Sequence, residues 1–73
     1  MIRILVPVNE TPDWLSYQSE YRCVMPTPEL IAWMTEQGYQ FRIDWNFEYR
    51  DYKRYMLTFK TEAVYIAFMI GWY

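Results

Sequence analysis

The chain has 73 residues and a mass of 9.1 kDa, the size of one domain whose single core is only marginally stabilising. One cysteine, Cys23, excludes an intrachain disulfide, and the absence of histidine leaves a structural zinc site without its usual ligands. With 53% hydrophobic and 22% aromatic residues the chain is not disordered, while a formal net charge of −2 argues against a dedicated duplex-DNA binder and is too mild for an acidic DNA mimic.

Ile2 to Val8 reads as a first strand, short, β-branched and closed by Pro7 near its end. Asn9 to Ser19 reads as a loop with at most one helical turn, which Thr11 would cap and Pro12 would begin. Tyr21 to Met25 is a candidate short strand ended by Pro26. Thr27 then suits an N-cap, Pro28 the first helical position and Glu29 the positive end of the helix dipole. Leu30, Trp33 and Met34 share one face, and Gly38 suits a helix stop, so a helix is predicted over Pro28 to Gln37.

From Tyr39 to Arg50 apolar and polar residues alternate without a break. Tyr39, Phe41, Ile43, Trp45, Phe47 and Tyr49 take one face of a predicted long strand. Residues 50–53 make a polar turn, and Arg54 to Lys60 forms a second strand with Tyr55, Leu57 and Phe59 inward. Thr61 and Glu62 look like a helix start, and Ala63, Ile66, Ala67 and Ile70 make one stripe before Gly71, a candidate stop. Val64, Tyr65, Phe68 and Met69 leave this last segment no polar face, so strand remains the alternative to helix. The expected fold is α+β: an antiparallel sheet of three to four strands with two helices on one face, ferredoxin-like or truncated ferredoxin-like, in a single domain spanning residues 1–73.

Little in the chain suits catalysis. Nucleophilic chemistry needs an activated nucleophile and a base; there is no histidine, Ser16 and Ser19 sit in no motif, and Cys23 reads as a buried, inert thiol. No glycine-rich loop is present to cradle phosphate. Asp44, Asn46 and Glu48 share the outward face of the long strand, where two carboxylates would flank a substrate or hold a hard cation; the plainer reading is a solvated face with Arg42 and Arg50 as charge partners. No catalytic residue, metal, cofactor or small-molecule substrate is therefore expected.

Two surfaces suggest binding. The run Tyr49-Arg50-Asp51-Tyr52-Lys53-Arg54-Tyr55 interleaves aromatic and basic residues as surfaces that stack bases do, and Tyr52, Arg54 and Met56 would extend it beside Arg42 on the open sheet. The final helix is apolar all round, which a two-layer domain buries on one side only. The surplus face of Val64, Tyr65, Phe68, Met69 and Trp72 then needs a subunit, a partner, or a cover from Trp14, Leu15 and Tyr17.

The stretch Phe59-Lys60-Thr61-Glu62-Ala63-Val64-Tyr65-Ile66-Ala67-Phe68-Met69-Ile70-Gly71-Trp72 resembles the tail of many small uncharacterised tailed-phage proteins. In those, a strand ending in Phe leads through an acidic turn into a helix with Ala and Phe and then a Trp. Here the acidic turn is shorter and the helix lacks a charged face. The resemblance covers these residues alone, implies a virus-encoded accessory protein in host cytoplasm, and transfers no site residues.

The first residues lack the apolar core and cleavage site of a signal peptide, and the longest uncharged run, Ala63 to Tyr73, is about half a membrane span. A cytoplasmic protein off the membrane is expected. Its expected role is non-catalytic protein–protein binding through Val64, Tyr65, Phe68, Met69 and Trp72. The partner is a second copy, as a dimer, or a host protein, in host modulation or counter-defence. The alternative is single-stranded nucleic-acid binding through Arg42, Arg50, Tyr52, Lys53 and Arg54.

Overall fold

The computed structural model describes all residues except Val8, Thr11, Tyr52, Lys53 and Tyr73, and of Asp51 the backbone alone. The elements in chain order are β1 (Ile2–Pro7), β2 (Leu15–Gln18), β3 (Cys23–Pro26), α1 (Pro28–Glu36), β4 (Trp45–Asp51), β5 (Arg54–Phe59) and α2 (Glu62–Trp72). The class is α+β. A three-stranded antiparallel sheet has the order β1-β5-β4, and β2 pairs with β3 in a separate antiparallel hairpin. β1 and β4 are each antiparallel to β5, which lies between them, so β1 and β4 run in the same direction, joined through the β2–β3 hairpin and α1.

The register sorts the sheet residues into rungs. Ile2, Phe59 and Trp45 lie side by side across the three strands, followed by Ile4, Leu57 and Phe47, then Val6, Tyr55 and Tyr49. These form the inner face. Phe59, Leu57 and Trp45 are almost completely buried, joined in one core by Leu30 and Met34 of α1 and by Val64 and Phe68 of α2. The alternate rungs, Arg3-Thr58-Asn46 and Leu5-Met56-Glu48, form the outer face. Pro7 is tolerated because β1 is an edge strand, which need not donate on both sides.

The helices follow their caps. The Thr27 hydroxyl accepts the Leu30 N–H at 3.2 Å, and the Thr27 N–H donates to the Trp14 carbonyl at 3.0 Å, which ties the start of α1 to the β2–β3 hairpin. At the other end Gly38 takes φ +93°, a conformation that favours glycine. Its N–H reaches the Thr35 carbonyl and the Tyr39 N–H reaches the Met34 carbonyl, the paired bonds of a Schellman stop. In α2 the Val64 N–H points at the Thr61 hydroxyl, 3.4 Å away. The segment is helical to Trp72, so Gly71 lies inside α2 and does not end it. A Cβ there would come within 2.6 Å of the Trp33 ring, so glycine at 71 serves the close approach of α1.

Two strand expectations also change. Leu15–Gln18, expected as loop, is a strand, because Cys23–Pro26 returns beside it through the loop 19–22, closed by Arg22 in the left-handed region at φ 55°. The long strand expected from Tyr39 starts only at Trp45. Its last backbone link to the β5 side is the Lys60 N–H to the Asp44 carbonyl, because the chain turns into α2 after Lys60. Without a ladder partner the earlier residues satisfy their backbone locally. The Asp44 carboxylate accepts the Gln40 N–H at 2.8 Å, Asp44 N–H donates back to the Gln40 carbonyl, and Arg42, at φ 73°, donates to the Trp45 carbonyl. Phe41 still stacks on Trp45 at 4.7 Å, but Ile43 turns out to solvent at 64% exposure. The cap placed at Thr11 lies outside the described residues.

Candidate binding surfaces

The apolar helix α2 divides differently from expectation. Val64 and Phe68, assigned to a partner-binding face, are in the core at 2% and 0% exposure. Phe68 packs edge-on against Trp14 at 5.0 Å and against Phe59 at 5.3 Å, so the chain's own residues fill that side. Tyr65 is half-buried against Phe59, Trp72 half-buried against Trp33, and Met69 also half-buried beside the core. Of the residues expected as cover, Trp14 packs on Phe68, Leu15 is buried in the core and Tyr17 is exposed. Of the other stripe, Ala63, Ile66, Ala67 and Ile70, all but the half-buried Ala67 are turned outward. Ala63, Ile66 and Ile70 lie at spacings of three and four on one face, with Ile66 at 45% and Ile70 at 81% exposure. Aromatic volume explains the inversion: Phe68 fills the space between Trp14 and Phe59, whereas the opposite stripe offers only isoleucine and alanine.

The outer face of the sheet holds a hollow of about 390 Å³ lined on its polar side by Arg3, Arg42, Asp44, Asn46, Glu48, Thr58 and Lys60, with Met1, Ile43 and Met56 as apolar wall. Asp44, Asn46 and Glu48 are thus brought to one concavity, but the Asp44 carboxylate is engaged by the Gln40 N–H within its own turn. Three cationic side chains share the space with these two carboxylates. Among the described residues no group of three or more His, Cys, Asp and Glu is placed to hold a metal ion. Met56, expected on the exposed face, lies on it but is covered, at 6% exposure, as the middle residue of its rung.

The nucleic-acid candidates separate. Arg42 lines the hollow, with its guanidinium 5.5 Å from the Phe41 ring centroid. Arg50 is exposed at the register shift between Tyr49 and Asp51, and Arg54 is exposed and shares the outer face with Met56 and Thr58. Tyr52 and Lys53 lie outside the described residues. Tyr49 and Tyr55 belong to an inner-face rung, their rings 5.6 Å apart, so these two provide no stacking platform on the outer face. Arg3 and Lys60 were not legible as partners of Arg42; only the pairing of β1 with β5 brings them together.

A cleft of about 470 Å³ lies between the hairpin and β4, lined by Tyr17, Val24, Met25, Phe47, Tyr49 and Tyr55 among others. Cys23, expected buried, is exposed at its rim: it ends the two-stranded hairpin, where no third strand or helix covers it. No helix of the described residues is long and apolar enough to cross a membrane. Neither a protein-family model, nor a curated protein, nor a solved structure matches the chain.

Proposed function

We propose that the chain is a non-catalytic binding protein that works through protein–protein contact on the outer edge of α2, with a second copy of itself as the occupant. The observation that carries this reading is the exposure of Ile66 and Ile70 on a helix with no charged residue after Glu62. A solvent-facing helix edge normally carries charge. A strip of Ala63, Ile66 and Ile70, flanked by Ala67 and Met69, is self-complementary about a two-fold axis, as an isologous dimer requires. Oppositely charged surfaces need no matching there, because the strip has none. The resemblance of the C-terminal residues to tailed-phage proteins supports placing such a dimer among virus-encoded accessory proteins in host cytoplasm, with a host protein as the competing occupant.

Light scattering across a concentration series tests the reading. The wild-type chain is expected to self-associate, and Ile70→Glu to remain folded by circular dichroism while losing association. A wild-type chain that stays monomeric throughout, or an Ile70→Glu chain that associates like the wild type, overturns it.

A further inference from the structure

The charge of the chain is unevenly distributed. The outer-face hollow holds three basic side chains, Arg3, Arg42 and Lys60, against two acidic ones, Asp44 and Glu48. Of the 7 basic and 9 acidic residues in all, this leaves four basic against seven acidic elsewhere. An acidic protein therefore carries a locally cationic concavity. None of the three side chains has a hydrogen bond or ion pair to a described residue; the Arg42 guanidinium has only its contact with the Phe41 ring. Three cations against two carboxylates leave the hollow with a net positive charge, and a concavity of that sign suits an anion.

Two further observations point to the same place. Arg42 holds a left-handed backbone at φ 73°, a conformation that non-glycine residues rarely adopt and that clusters at functional positions. The Thr58 hydroxyl in the wall of the hollow, between Arg3 and Asn46 in its rung, is buried without a hydrogen-bond partner. Such groups are uncommon and call for an explanation.

We infer that the outer sheet face binds the phosphate backbone of single-stranded nucleic acid, with Arg3, Arg42 and Lys60 around the hollow each neutralising one phosphate. Guanidinium groups grip a phosphate through paired N–H donors, and lysine adds a point charge. The cations form a track. Arg54 begins β5 on the outer face and Lys60, in the hollow, follows its end, six residues on, roughly 20 Å at the rise of a strand. That length spans several phosphates of an extended strand. A duplex is straight and stiff over this length, whereas a single strand can follow the twist of the sheet face. Met56 and Ile43 supply apolar floor for a sugar or base, and contacts to phosphate make the binding insensitive to sequence.

The test is fluorescence anisotropy of a labelled oligothymidylate of about 12 nucleotides, within the usual site size, titrated with the full chain over a range of salt. Three phosphate contacts predict a log–log salt slope of about −2, so that a fourfold rise in salt weakens binding roughly fifteenfold. Arg3→Gln, Arg42→Gln and Lys60→Gln should each weaken binding and reduce the slope by about 0.7. Glu48→Gln should tighten binding, and Arg22→Gln, on the distant hairpin loop, should leave it unchanged. No binding at low salt overturns the inference. So does an equal loss in Arg22→Gln, or displacement of the strand by poly-glutamate at equal charge concentration, which would mark the face as a site for acidic protein.

Discussion

Helices α1 and α2 bury the same number of side chains completely and could hardly be less alike outside. Leu30 and Met34 anchor α1, Val64 and Phe68 anchor α2. The outer side of α1 carries Glu29, Ala32, Thr35 and Glu36, whereas that of α2 carries Ala63, Ile66 and Ile70. A helix with a polar face declares its buried side, because only one orientation keeps charge in water. A helix apolar all round does not, and its orientation is decided by which side offers the volume the core lacks. Phe68 meets Trp14 and Phe59, and no residue of the opposite stripe would fill that space.

The sharpest way to break this comparison is to remove the deciding side chain. Phe68→Ala should cost about 3–5 kcal/mol of unfolding free energy in urea, a large share of the stability of so small a domain. A cost near that of a surface substitution would mean that α2 is not held by Phe68. The junction between the helices comes next. Gly71→Ala gains roughly 1 kcal/mol of helix propensity, but its Cβ meets the Trp33 ring at 2.6 Å, and overpacking costs about 1–3 kcal/mol. A net loss of about 1 kcal/mol is expected, abolished when Trp33→Leu is added. A gain in the single variant would show that the Trp33 ring moves aside freely.

The caps sharpen the comparison further. Thr27→Ala removes a buried cap bond of 3.2 Å and should cost about 1 kcal/mol. Thr61→Ala, whose bond is 3.4 Å and whose residue is exposed, should cost less in the same melt. The smallest effect belongs to Ile70→Ala, which at concentrations where the chain is monomeric should stay within about 0.5 kcal/mol of wild type, despite removing as large an aliphatic side chain as any in α2.

What the amino-acid sequence determined by itself was local. Thr27, Pro28 and Gly38 bounded α1 because capping and left-handed stops are settled within a few residues, and Thr61 marked the start of α2 for the same reason. The inward set of β5, Tyr55, Leu57 and Phe59, was legible because period-two alternation continued where a ladder existed on both sides. Only the tertiary structure decided the rest. The same alternation ran through Phe41 and Ile43, yet a strand there needs a partner, and β5 ends at Phe59. The strand at Leu15–Gln18 exists through Cys23–Pro26, and neither half signals the other. The gathering of Arg3, Arg42 and Lys60 has the same cause: residues from three distant parts of the chain become neighbours only once β1 and β4 flank β5. Local propensity follows from a residue and its near neighbours, whereas strand length, helix orientation and the composition of a surface depend on contacts between segments that the order of residues does not place side by side.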